Sequence, residues 1–190
     1  INIIENEYER TGASKYTDEL GMREMQQRVY EKRNSKHLLI KAPPASGKSR
    51  ALMFVALDKL KNQGINKVIV AAPETSIGAS FSNTKLTENG FFTDWVVEAR
   101  NNLCTGSGDE KSKVKSFIRF MNSDDQIIVC THATLRFAFE EMSVTEFNDC
   151  VLAIDEFHHV STSDESRLGE LVRQVMRGSN VQMIAMTGSY

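Results

Sequence analysis

Five short runs along the chain are almost wholly apolar: residues 37–42 (HLLIKA), 67–72 (KVIVAA), 126–131 (QIIVCT), 151–154 (VLAI) and 181–187 (VQMIAMT). Runs this short, rich in β-branched side chains and lacking polar alternation, predict strands buried on both faces, as in a parallel sheet covered by helices. Between them the apolar positions recur at helical spacing, which predicts helices over 19–33, 48–62, 111–121, 133–142 and 165–177. Gly64 and Gly178 stand where two of these helices should stop. Strands alternating with helices through right-handed crossovers give an α/β fold, a three-layer αβα domain with a mostly parallel central sheet. The domain is expected to span residues 19–190, behind an N-terminal extension of residues 1–18. The stretch 75–108 accumulates Gly, Ser, Asn and Thr; within it 91–99 reads as either helix or strand, with Phe91, Phe92 and Trp95 expected in the core. Residues 105–113 (TGSGDEKSK) read as an exposed loop.

At 190 residues, 41% hydrophobic and 25% charged, the chain is long enough for a sizeable core and too apolar for disorder. A net charge of -2 supplies no global attraction to nucleic acid, so any such binding must come from a local patch. The three cysteines, Cys104, Cys130 and Cys150, are odd in number and lack CxxC spacing, which fits free thiols in a reducing compartment. Cys130 and His132 could open a metal site, but Cys130 closes an apolar run and no second pair follows, so Cys130 is read as core. No apolar stretch approaches membrane-spanning length and the N-terminus lacks the basic-then-apolar layout of a secretory leader. A cytoplasmic location without membrane partners is therefore expected. The chain starts at Ile1 and stops at Tyr190 directly after an apolar run, and reads as part of something longer.

Two strand ends carry chemistry. After the first run, Ala42 is followed by four residues and then Gly47-Lys48-Ser49, within "APPASGKS". This is the phosphate-binding loop pattern, with Ala where Gly is commoner, set between a strand and a helix as the mechanism requires. Successive backbone N–H groups and the positive end of the following helix favour a polyphosphate. Lys48 would reach the β- and γ-phosphates of ATP, and the Ser49 hydroxyl would bind Mg2+. After the fourth run stand Asp155 and Glu156, two carboxylates at the carboxyl end of a buried strand, where open α/β sheets place ligands. Asp155 would hold Mg2+ and Glu156 would polarise the water that attacks the γ-phosphate. Lys48, Asp155 and Glu156 are thus the expected catalytic set.

"IDEFHH" (154–159) resembles the DExH box of the superfamily 2 DEAD/DExH-box helicases and translocases, and "APPASGKS" resembles their motif I. Other elements stand in the family's order: "MREMQQ" (22–27) resembles the R-x-x-Q element, "VIVAAPETSIGASF" (68–81) motif Ia, "VCTHATL" (129–135) the motif Ib region and "MTGS" (186–189) motif III. Motifs I and II are specific, while the others add weight through order and spacing. The resemblance covers about the whole chain and implies the first RecA-like ATPase domain of such a protein. It implies ATP contacts from Arg23, Gln26, Pro44, Ala45, Ser46, Gly47, Lys48, Ser49 and Arg50, the glutamine reading the adenine edge. From the motif Ia and Ib loops it implies nucleic-acid contacts by Ser76, Thr131 and His132. It further implies coupling to motif III, with His158 reaching Thr187 or Ser189. The implied partners are DNA or RNA, with DNA favoured, and a second RecA-like domain carrying motifs IV to VI and the arginine fingers. Without that domain, the 190 residues are expected to bind ATP weakly and to hydrolyse it hardly at all. Two departures stand out: Pro44-Ala45 precede Ser46 where the family usually has Thr-Gly or Thr-Ala, and Tyr190 follows motif III where Pro is common. Pro44 removes one backbone donor from the cradle.

His159 reads as a polar residue opening a solvent-facing stretch, and adjacent histidines at a strand end are expected to converge poorly on zinc. Lys111, Lys115 and Arg119 recur at helical spacing and share one face, which is either a phosphate-tracking surface or a solvated one. Two function classes follow: a nucleic-acid-dependent ATPase motor, or a nucleotide-dependent switch or assembly module with the same loop and carboxylates but no translocation. The R-x-x-Q element and "MTGS" favour the motor, because a generic switch requires neither. A small-molecule kinase is disfavoured by the absence of an evident acceptor site.

Overall fold

The apolar runs become five of the six strands of one sheet. A computed structural model describes residues 1–5, 17–161 and 166–188. The strands are β1 (Asn2–Glu5), β2 (His37–Lys41), β3 (Lys67–Ala72), β4 (Ile127–Thr131), β5 (Cys150–Ile154) and β6 (Gln182–Thr187), in spatial order β1-β2-β6-β5-β3-β4. Every neighbouring pair is parallel. The helices are α1 (Glu24–Glu31), α2 (Lys48–Asn62), α3 (Thr75–Gly78), α4 (Glu110–Met121), α5 (His132–Glu141), α6 (His158–Ser161) and α7 (Arg167–Gly178). Among the described residues no helix is long and apolar enough to cross a membrane.

Strand periodicity explains why the runs are continuous rather than alternating. Val68, Val70, Val151, Ala153, Ile184 and Met186 face a core shared with α1 and α2. Their neighbours Ile69, Ala71, Leu152, Ile154 and Met183 face a second core built with α4, α5 and α7. Successive side chains point to opposite faces, so a sheet covered on both sides needs an apolar residue at every step. The result is the expected three-layer arrangement, with β2, β6, β5 and β3 in the interior of the sheet.

Five expectations are corrected. Asn2–Glu5, expected within an extension, pairs with β2 in the register Ile4↔Ile40 as an edge strand. Only Ile4 of its two isoleucines is buried, Ile3 being 59% exposed, and a strand that buries one side chain leaves no periodic signal. The first helix starts at Glu24 rather than at residue 19, because the Asp18 carboxylate accepts the Leu20 and Met22 N–H groups and Gly21 takes φ 77°, which holds 18–22 as a turn. The loop expected over 105–113 ends early: the Asp109 carboxylate accepts the Ser112 N–H at 2.8 Å and starts α4. The ambiguous 91–99 stretch is neither helix nor strand. It is pinned by an isolated antiparallel bridge between Thr84 and Trp95 and by the Trp95 indole N–H, which donates to the Phe81 carbonyl at 2.8 Å. Trp95 and Phe91 are core, as expected, but Phe92 is 49% exposed, adjacent to a Phe91 ring that packs edge-on against Phe54. The expected free thiols are present, Cys130 and Cys150 buried and Cys104 partly so.

One interior charge is unusual. Helix α2 is buried continuously from Ala51 to Leu60, and this includes Lys59, which is 1% exposed. Its ammonium donates to two neutral oxygens, the Ser35 carbonyl at 3.0 Å and Gln182 Oε1 at 2.5 Å. Burial lowers its pKa from 10.5 to about 8, with Asp58 pulling partly in the opposite direction. Between about pH 8 and 10.5 the folded domain has released a proton that the unfolded chain still holds, so the Lys59 contribution to stability rises with pH across that window. The full effect is about 3 kcal/mol. Urea unfolding of the wild type and Lys59→Met from pH 7.5 to 10.5 is expected to show the wild type gaining by roughly that amount relative to the variant. Parallel pH profiles would contradict the assignment.

Candidate active site

Because all strands run the same way, the turns after β2 and β5 and the carboxyl end of β6 lie on one edge of the sheet. The turn after β2 is anchored at its base, where the Ala42 N–H donates to the Thr187 carbonyl of β6 at 3.1 Å, and it tightens where Ser46 N–H meets the Pro43 carbonyl at 3.3 Å. Ala45 adopts φ 61° and Gly47 φ 89°, both left-handed. Gly47 is the N-cap of α2 and has no side chain to satisfy the helix's first N–H groups, which leaves them directed at the loop. Ser46 is buried and its Oγ has no hydrogen-bond partner among the described residues. Pro44, Ala45 and Arg50 are exposed, and Lys48 and Ser49 partly so.

Gln26 lies over this loop. It is 2% exposed; its Oε1 accepts the Arg23 N–H at 2.8 Å and its Nε2 donates to the Gly47 carbonyl at 3.1 Å. A Cβ on Gly47 would stand 2.6 Å from that Nε2, so the contact requires glycine there. The amide expected to read adenine is therefore taken up between the start of α1 and the phosphate loop. Arg23 itself is exposed.

The acidic turn is fixed by its neighbours. Asp155 N–H donates to the Ala71 carbonyl and Phe157 N–H to the Met186 carbonyl, each at 2.9 Å, and Glu156 between them takes φ 51°. The Glu156 N–H donates to Asp155 Oδ1 at 2.9 Å. Asp155 is 8% exposed, and burial raises its pKa against the opposing pull of the Glu156 N–H and of Lys48. Lys48 Nζ lies 3.9 Å from Glu156 Oε1, which brings the two sequence motifs together. His158 Nδ1 is 3.0 Å from the Thr187 hydroxyl and 3.4 Å from Glu156 Oε2. Ser189, the other residue expected opposite His158, lies outside the described residues. His159 is exposed, as expected, but its ring stacks 4.3 Å from that of His158. Contrary to the expected divergence, Glu156, His158 and His159 bring one ligand-type atom each within 4.8 Å of one another, since the short turn of α6 folds both rings back over Glu156.

The three residues expected at nucleic acid are placed differently. Ser76 is exposed in the first turn of α3. Thr131 is buried as the N-cap of α5, accepting the Thr134 N–H at 3.3 Å. His132 turns inward, its Nε2 2.9 Å from the Asp155 carbonyl, and burial lowers its pKa. The side-chain polar atoms of Thr131 and His132 are thus used within the domain. The sequence held no local signal for the His132 contact, which arises from the packing of β4 beside β3 and of β3 beside β5.

The DEAD/DEAH box helicase family profile matches residues 23–190. A Bacillus subtilis (strain 168) protein named "Putative ATP-dependent helicase YeeB" is 64% identical over 189 residues, covering 100% of this chain and 31% of that protein. The chain therefore spans less than a third of the length of this curated relative. Among solved structures, the Pyrococcus furiosus Hef helicase domain aligns with TM-score 0.60 at 20% identity, over 86% of this chain and 32% of that one. The UvsW helicase from bacteriophage T4 aligns with TM-score 0.53 at 17% identity (87% and 52% covered). The Sulfolobus solfataricus SWI2/SNF2 ATPase core, solved in complex with dsDNA, gives TM-score 0.54 at 16% identity (87% and 30% covered). At these identities the structural likeness establishes the RecA-like fold alone.

The Gln26 contact yields a direct test. Gln26→Leu would leave the Arg23 N–H and the Gly47 carbonyl without this partner in a partly buried seam, at a cost of about 1 kcal/mol. A lower thermal midpoint of the nucleotide-free domain is expected; an unchanged midpoint would show that the amide contributes nothing there.

Proposed function

The chain belongs to the DEAD/DEAH box helicase family, and we propose that it is the ATP-binding half of a nucleic-acid-dependent ATPase that moves on or remodels DNA. The observation that carries this reading is the approach of Lys48 to Glu156 within 3.9 Å, which joins the phosphate loop to the acidic turn. The residues suit a polyphosphate. The first N–H groups of α2, the unpartnered Ser46 Oγ and the Lys48 ammonium all supply donors or positive charge at one loop. They suit a divalent cation as well, through the Ser49 hydroxyl and the Asp155 carboxylate, which are hard oxygen ligands. A cation held there with ATP would supply positive charge against the negative charge that develops in phosphoryl transfer.

The chain's own residues then divide the work. Lys48 exchanges its carboxylate partner for the phosphates, which frees Glu156 to orient the attacking water and accept its proton. Asp155, held by the Ala71 carbonyl and by the Glu156 N–H, presents its remaining carboxylate oxygen to the cation. His158, standing between Glu156 and Thr187, relays the state of the nucleotide to the carboxyl end of β6. Ser76 and the backbone of the β4–α5 junction are the proposed nucleic-acid contacts. A second RecA-like domain, outside these 190 residues, supplies the arginine fingers.

The test is steady-state ATP hydrolysis by the longest native chain containing this segment, with and without single- and double-stranded DNA and RNA. DNA is expected to stimulate hydrolysis, Lys48→Ala and Glu156→Gln to abolish it, and His158→Ala to retain nucleotide binding while losing stimulation. The 190 residues alone are expected to hydrolyse ATP barely above background. Hydrolysis that depends on Lys48 but ignores every nucleic acid would instead make the protein a nucleotide-dependent switch.

A further inference from the structure

The peptide unit joining Asp155 to Glu156 is held at both ends. Its N–H donates to Asp155 Oδ1 at 2.9 Å, and its carbonyl oxygen lies 2.9 Å from His132 Nε2. A carbonyl oxygen only accepts, so the imidazole must carry its proton on Nε2. The plane of this peptide sets the backbone direction of Glu156, which sits at φ 51°, a left-handed conformation that a residue with a Cβ adopts at a cost of about 1–2 kcal/mol. Such a conformation persists only where its surroundings over-determine it. The carbonyl bond from His132 is one of those determinants, and it is made by a side chain from another strand's end.

His132 is itself held firmly. It is the first residue of α5, just after the Thr131 N-cap. The Thr134 hydroxyl donates to the Glu110 carboxylate of α4, so the Thr131 hydroxyl, 3.2 Å from Thr134 Oγ1, must be the donor in that pair. Thr131 also accepts the Thr134 N–H, and the N-terminus of α5 is thereby tied to α4 on one side and to the acidic turn on the other. A ring anchored this way can fix the peptide it contacts rather than follow it.

We propose that His132 is a positioning residue for ATP hydrolysis: by donating to the Asp155 carbonyl it sets the orientation of the Asp155–Glu156 peptide, and so the aim of the Glu156 carboxylate at the attacking water. The proposal rests on the ATPase reading above. It predicts a loss in turnover rather than in binding, because the phosphate loop does not depend on this bond.

The experiment compares wild type, His132→Ala, His132→Gln, Lys48→Ala and Glu156→Gln in the longest native chain, under nucleic-acid-stimulated conditions. His132→Ala is expected to lower kcat by roughly 10- to 100-fold, the scale of a misplaced catalytic group, while KM for ATP changes little. His132→Gln, which keeps an N–H donor on a side chain of comparable reach, is expected to recover most of the lost kcat. A His132→Ala enzyme with wild-type kcat beside inactive Lys48→Ala and Glu156→Gln overturns the role of His132 and leaves the ATPase reading intact. So does a failure of His132→Gln to recover turnover although its unfolding midpoint matches the wild type. If the wild type itself shows no Lys48-dependent hydrolysis, the ATPase reading fails and the role falls with it.

Discussion

Parallel pairing constrains almost everything else in this domain. Six strands running in one direction require every return of the chain to cross a face of the sheet, which puts helices on both sides and forces both faces to be apolar. The same constraint collects all strand carboxyl ends on one edge, where each apolar run must give way to whatever the solvent-facing turn carries. Loops distant in sequence meet there without any contact designed for the purpose. The phosphate loop leaves β2, the acidic turn leaves β5, and β6 lies between them in the sheet, so Thr187 is placed to touch His158 from one side while Ala42 hydrogen-bonds to it from the other. Convergence of this kind follows from topology before it follows from side chains.

Against that regular frame, the irregularities gather in the site. Ala45 and Glu156 are two of the three non-glycine residues with positive φ among the described residues, and both are in its turns. Left to local preference, neither would take that conformation. Glu156 is bracketed by Asp155 and Phe157, whose N–H groups are bonded to β3 and β6, so the residue between them has little freedom to relax. A rigid sheet pins the flanks and the strain falls on the residue proposed to orient the attacking water. Conflict between local propensity and tertiary structure is expected at functional sites and less so elsewhere.

What could be read from the sequence follows the same division. Strands buried on both faces announce themselves, because each position must be apolar; α2 was legible to the residue, since its start is fixed by the glycine of the loop and its body is apolar throughout. The two main motifs were legible because phosphate and metal chemistry demand particular residue types at fixed spacing. Features that depend on a partner were not. Asn2–Glu5 becomes a strand only because β2 offers an edge, and Phe92 stays exposed because Phe91 beside it takes the core position next to Phe54. The inward turn of His132 and the engagement of Gln26 with Gly47 depend on distances between elements far apart in the chain, which no local pattern encodes. Asp109 is the exception: the carboxylate three residues before Ser112 is a capping signal that local reasoning could have used to end the loop sooner.

Electrostatics explain why the site needs all of its cationic parts at once. Asp155 and Glu156 place two carboxylates beside a loop shaped for a polyphosphate, an arrangement in which the ligand and the protein repel each other. Burial already disfavours the ionised form of Asp155, and the Glu156 N–H, the field of Lys48 and that of His158 oppose it. A polyphosphate that drew Lys48 toward itself would weaken that compensation at the moment it added negative charge of its own. The donors of α2 would not replace it, since they point into the phosphate loop rather than at the carboxylates. On the ATPase reading proposed above, a hard cation held by Asp155 and Ser49 would resolve the conflict, because it would attract both anionic partners and restore the balance that Lys48 gives up. On that reading nucleotide and metal would be thermodynamically linked, each favouring the binding of the other.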